Sequence, residues 1–278
     1  MKKRIFNCLH YFVLIIFLLI VLIPVIWGFT NAFRTNDEIM NIGDLSLRTF
    51  VPEQFTLENF AAVFTELDFL QVFRNTLTVA LTVTAFSLLF NSMAGYAFAR
   101  LSFFGKNILF AIILSTLIMP MEILVLPLYT VIMQFGLVGQ LSGVIIPFLA
   151  NAFGIFFMRQ FFMGIPRELD ESAYIDGCGY FKTFFHIMMP LTKTPLATLG
   201  LIAFLTQWDN FLIPLTFLTG QRTMLLQVAL SFLARDVYID RHGLMFAGLV
   251  VSSIPIMSIF ISLQKYYVEG IATSGIKG

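Results

Sequence analysis

The chain has 278 residues, of which 58% are apolar and 12% charged, and a formal net charge of +1. A soluble domain carries about 25% charged residues; half that load, with long apolar runs and 33 phenylalanines, excludes a soluble domain and reads as an integral membrane protein. So small a net charge provides no field for nucleic acid, and Cys8 and Cys178 are too far apart for a metal framework and read as free thiols.

Met1-Lys2-Lys3-Arg4 precede the first apolar run, residues 11–33. It is longer than a signal-peptide core and lacks a small-residue cleavage site, so it is expected to be an uncleaved first transmembrane helix. Residues 34–70 are polar and form an external loop, with a short helix expected to open at Thr56. The membrane core is expected over residues 71–265. Its spans fall at about 75–99, 108–133, 141–162, 194–218 and 244–263. Backbone groups find no water in lipid, so these spans must be helices. Small residues (Ser92, Ala94, Gly95, Ala97 and Ala99) let the second span approach a neighbour closely. Residues 266–278 form a tail.

Between the fourth and fifth spans lies a polar interruption, residues 164–190. Glu168, Asp170 and Glu171 suit the first turns of a helix, where the dipole favours negative charge. Gly177 is a natural left-handed stop, and a second short run from Tyr180 meets Pro190. Helix, glycine turn, helix makes a knob that should stand in water. With six spans, eleven of the 17 lysines and arginines fall on the knob's side together with both termini, and the positive-inside rule makes that side cytoplasmic.

Ionisable groups inside a span cost roughly 2.5–3.5 kcal/mol at its centre and mark functional candidates. Glu122 in the third span and Trp208-Asp209-Asn210 in the fifth are such candidates. Carboxylates, amides and a ring are what a sugar path needs. The alternative is that they bond between helices, with Trp208 as an interfacial anchor. Asn91 reads as inter-helix glue. No phosphate-cradling glycine-lysine loop, zinc-protease motif or nucleophile elbow occurs.

The residues Glu171-Ser172-Ala173, Asp176-Gly177 and Ile187-x-x-Pro190 resemble the "EAA" signature of ABC importer permeases, with Ser172 where the family usually has alanine. The Phe-Arg-Thr-Asn-Asp-Glu-Ile run at 33–39, the Phe-Thr-Leu-Glu-Asn-Phe run at 55–60 and the tail resemble permeases of the maltose-type sugar importers. This resemblance covers essentially the whole chain. It implies an all-α type I importer fold with six transmembrane helices and a cytoplasmic coupling helix, in a bacterial inner membrane. It further implies a second homologous permease, two copies of an ATPase that uses ATP and Mg, an external sugar-binding protein that meets residues 222–242, and no cofactor on this chain. The tail residues Ser274, Gly275, Ile276, Lys277 and Gly278 would reach the ATPase pair. An importer for another solute, or a self-contained secondary transporter, is the alternative reading.

Overall fold

The structure, a computed structural model, describes residues 2–41, 47–66, 68–235 and 241–274. Among these, every regular element is helical. The chain divides into two units: residues 1–70 with 229–254, and residues 71–228 with 255–278.

The first unit begins with α1 (Lys2–Asn31), which from Tyr11 to Trp27 is apolar and exposed, as a lipid-facing helix should be, and among its described residues is buried only at its end, Asn31. The loop after it is structured. Helix α2 (Asn36–Asn41) is tied down by the buried guanidinium of Arg34, and helix α3 (Glu58–Glu66) by the Asn59 side chain on that residue's carbonyl. Arg34 Nη1 donates to Asn31 Oδ1 at 3.0 Å, Nη2 to the Arg48 carbonyl, and Nε lies 3.2 Å from Glu38. The Glu38 carboxylate in turn accepts from the Glu53 and Gln54 amides. Thr56 caps as expected, with Oγ1 accepting from the Glu58 amide, so the helix opens two residues later than the sequence suggests. Asn59, three residues on, takes no part in the cap and donates to the Ala32 and Arg34 carbonyls.

The second unit is built on α4 (Phe69–Arg100), α5 (Lys106–Ser115), α6 (Met121–Gln134), α7 (Leu141–Ile145), α8 (Ala152–Gly164), α9 (Glu168–Ile175), α10 (Tyr180–Thr183), α11 (Met189–Leu191), α12 (Lys193–Trp208) and α13 (Leu212–Phe217). After it come α14 (Leu226–Arg235) and α15 (His242–Ser274), whose last residues return to this unit. Helix α4, at 32 residues, is about 48 Å long and overruns a hydrocarbon core of about 30 Å. It carries two apolar clusters along its length. Val79 and Val83 pack with Val125, Ile132, Ile213 and Phe217. Tyr96 and Ala99 pack with Met158, Phe162, Phe184 and Met188.

Among the described residues, four helical segments are long and apolar enough to cross a membrane, or up to six if each of two bent pairs is one span. The expected third span is one of those pairs: Lys106–Ile118 and Met121–Gln134 meet at 111°. The cause is Pro120, which holds Met119 in extended backbone (φ −83°, ψ 121°) and stops the helix there. The other pair, Tyr180–Leu191 and Lys193–Trp208, bends by 84°. The helix of the expected fifth span does not run to 218: it closes at Trp208 with Asp209 as its C-cap, and a separate short helix, α13, follows. The sixth helix does not fray at 263 but continues to Ser274. Asp236 and Asp240 of the expected external stretch, and tail residues Gly275, Ile276, Lys277 and Gly278, lie outside the described residues.

Candidate functional site

The 164–190 segment is a helix, a glycine turn and a second helical run. In α9 the three acidic residues Glu168, Asp170 and Glu171 occupy the first turn, where they complement the exposed amides. Helix α9 ends in a Schellman turn. The Cys178 amide donates to the Ala173 carbonyl at 2.9 Å, and the Gly177 amide to the Tyr174 carbonyl at 3.0 Å. Gly177 sits at φ +74°, in the left-handed region that costs other residues about 1–2 kcal/mol.

The signature residues divide by exposure. Ala173 is buried and seats α9 on the unit. Glu171, Ser172, Asp176 and Gly177 are exposed on the same short stretch. Ile187 is half-buried in a π-helical turn, Phe184–Met188, and Pro190 is exposed where the chain heads toward α12. The tip carries large uncovered apolar groups: Tyr174 is 76% exposed, Ile175 83%, Tyr180 66% and Phe181 71%.

Beneath the tip the sequence reading missed a cluster. Arg100, the last residue of α4, has a side chain only 6% exposed. Its Nη2 donates to the Ile165 carbonyl, and its Nε lies 3.3 Å from the Asp170 carboxylate. Burial pushes the Asp170 carboxyl above the usual carboxylate range; the Arg100 and Arg167 guanidinium groups and the Tyr96 hydroxyl only partly offset it. Beside the pair is a cavity of about 200 Å³, whose walls include Tyr96, Arg167, Tyr174 and Cys178. The signal in the sequence was a lone arginine closing a run of small residues, and an aspartate directly before Glu171.

The candidate path residues are not brought into one site. Trp208 is fully buried, stacked on Phe204 at 5.4 Å and edge-on to Phe73 at 5.6 Å. Its indole N–H has no partner. Asp209, at the C-cap of α12, is exposed and receives Gln227 Nε2 at 3.5 Å. Asn210 Oδ1 accepts from the Ile213 amide at 3.4 Å and opens α13. Glu122 is exposed in the first turn of α6, at the corner that Pro120 makes rather than mid-span. Asn91 acts as the glue expected of it: its Oδ1 accepts from the Asn151 amide at 2.9 Å, and Asn151 Oδ1 caps α8 through the Gly154 amide at 2.7 Å.

An all-helical chain with long apolar helices, two bent helix pairs and a polar two-helix knob in the 164–190 segment is of the type I importer permease class. The solved structure of a bacterial ABC transporter that imports the acidic polysaccharide alginate has the same fold, with a TM-score of 0.85 over 96% of this chain and 98% of that one at 23% identity. Residues 91–273 match the family described as "Binding-protein-dependent transport system inner membrane component", and the chain belongs to that family. It is 36% identical to the arabinooligosaccharides transport system permease protein AraQ of Halalkalibacterium halodurans, over 89% of this chain and 88% of that one. It is 29% identical to the diacetylchitobiose uptake system permease protein NgcG of Streptomyces coelicolor, over 95% and 87%.

Proposed function

We propose that this chain is the membrane subunit of an ATP-driven importer for a sugar or oligosaccharide, and that residues 164–190 are its cytoplasmic coupling loop. The observation that carries the loop's role is its tip. Large apolar side chains left open on a charged helix mark a surface that a partner covers, and Tyr174, Ile175, Tyr180 and Phe181 stand open together. Around them Glu171, Ser172 and Asp176 form a polar rim, Gly177 fixes the turn, and Ile187 and Pro190 set the return to α12. The partner is a cytoplasmic ATPase, present in two copies, one under this chain and one under a second homologous permease. It holds the ATP and Mg; this chain supplies no hydrolytic group and binds no cofactor.

In this reading the bent pair Lys106–Ile118 and Met121–Gln134 counts as one crossing, and α12, without the cytoplasmic run Tyr180–Leu191 before it, belongs to another. The six spans lie in a bacterial inner membrane with both termini in the cytoplasm. The tail from Ser274 to Gly278 reaches the ATPase pair, and residues 222–242 meet an external receptor. The cargoes named for the relatives, arabino-oligosaccharides and diacetylchitobiose, support a sugar. Asp209, Asn210 and Glu122 are the polar groups for its passage, and the unpartnered indole N–H of Trp208 joins them only when the surrounding helices part.

Isolating the chain from its native membrane with what accompanies it tests this. An ATPase, a second permease and a receptor carrying a sugar are expected. The variant Gly177→Pro, correctly inserted, should hydrolyse ATP without responding to the receptor. A normal response by that variant would overturn the loop's role, and a receptor loaded with a non-sugar solute would overturn the cargo.

A further inference from the structure

We propose that Arg100 is a positioning residue for transport: its guanidinium locks the inner end of α4 to the 164–190 loop, so that loop and span move as one body. The proposal rests on reading that loop as the coupling device.

Arg100 grips the loop at two points, the Ile165 carbonyl before α9 and the Asp170 carboxylate in its first turn. The first grip is a hydrogen bond and the second an ion pair at 3.3 Å without one; the rigid planar guanidinium sets the spacing between them, which a lysine's single ammonium does not. The 200 Å³ cavity gives the lock a purpose. Packing alone leaves one side of α9 unsupported, so a push on the tip could tilt α9 into that space. The ion pair bridges it. Such a pair is poor support for stability, because desolvating both charges costs as much as their attraction returns; the raised carboxyl of Asp170 is that cost. Register is what a buried pair does supply.

The other end of the lock is stiff. A Cβ at Gly95 would lie 2.8 Å from Met158 and 2.9 Å from the Arg159 amide, so α4 and α8 touch backbone to backbone one turn above Arg100. Arg159 Nε donates to the Phe98 carbonyl at 3.2 Å, and Tyr96 packs on Phe162 and Phe184. From there α4 runs unbroken to Val83 and Val79, in the core beside α6 and α13. A displacement of the loop therefore reaches the far half of the unit through one rigid rod.

The test uses the assembled complex in vesicles, reading ATP hydrolysis with and without its receptor as purified. Arg100→Gln should assemble, yet lose about tenfold of the receptor's stimulation, within the range of one coupling free energy. Asp170→Asn, nearly isosteric, should lose a similar factor. The double variant should be no worse than either single one, because they share a contact, and Arg100→Lys should recover part. Full stimulation in assembled Arg100→Gln or in Asp170→Asn, while Glu171→Ala abolishes it, would overturn the lock alone. Stimulation retained in Glu171→Ala as well, or absent from the parent, would overturn the coupling reading beneath it. Should Arg100→Gln not assemble, Asp170→Asn decides.

Discussion

Gly154→Ala is expected to be among the most damaging single-methyl additions in this chain. A Cβ there would lie 2.2 Å from Asn91 Nδ2, 2.6 Å from its Cγ and 3.1 Å from its Cβ. Asn91 is fully buried and cannot swing aside without releasing the Asn151 amide, which it holds at 2.9 Å where α8 begins. Overpacking costs about 1–3 kcal/mol, and a buried amide left without its acceptor costs about as much again. The loss should be about 2–5 kcal/mol, or on the order of 10 °C in melting temperature for a unit of this size. The assay is the midpoint of thermal loss of the monodisperse protein in detergent. Gly164→Ala is the control, since no atom lies within 4 Å of its added Cβ. Shortening Asn91 to alanine alongside Gly154→Ala should recover part of the loss by clearing the clash. A Gly154→Ala protein melting with the Gly164→Ala control would refute the reasoning.

Arg34→Ala strands the Glu38 carboxylate in a largely buried site and should cost about 3–5 kcal/mol of folded protein, measured as the same midpoint. Arg48→Ala, whose pair with Glu53 stands open to solvent, should change it by less than about 1 kcal/mol. Asp170 predicts a pH effect. Its folded carboxyl is raised, so the folded state holds that proton more tightly than the unfolded chain. The stabilisation is complete below about pH 4, the ordinary carboxylate value, and is lost as pH rises through the higher folded value. The parent should therefore gain stability relative to Asp170→Asn as pH falls from 7 to 4. A difference that stays flat across that range would count against it.

What the sequence disclosed was local or periodic. Apolar runs located α1, α4 and α15 because the bilayer makes length and hydropathy decisive. Gly177 disclosed its turn because only a left-handed residue closes a helix that way. Pro120 stands in plain sight inside the expected third span, yet its 111° corner was not legible, because that angle depends on where α6 anchors Val125 and Ile132 in the core. Trp208 illustrates the converse. Its polar neighbours suggest a path residue, whereas Phe73 of α4, far away in sequence, turns the ring into the core. Arg34 and Arg100 stayed hidden for the same reason: a guanidinium that bonds a distant carbonyl leaves no pattern in the chain.

The corner at Pro120 also bears on how the protein is made. Helix α5 has 10 residues and α6 has 14, roughly 15 and 21 Å, and neither alone crosses about 30 Å of hydrocarbon. The cell's insertion machinery therefore cannot thread them one after the other. In the six-span reading the two arms must enter together as one bent crossing, with neighbouring helices giving the corner a wall to lean on.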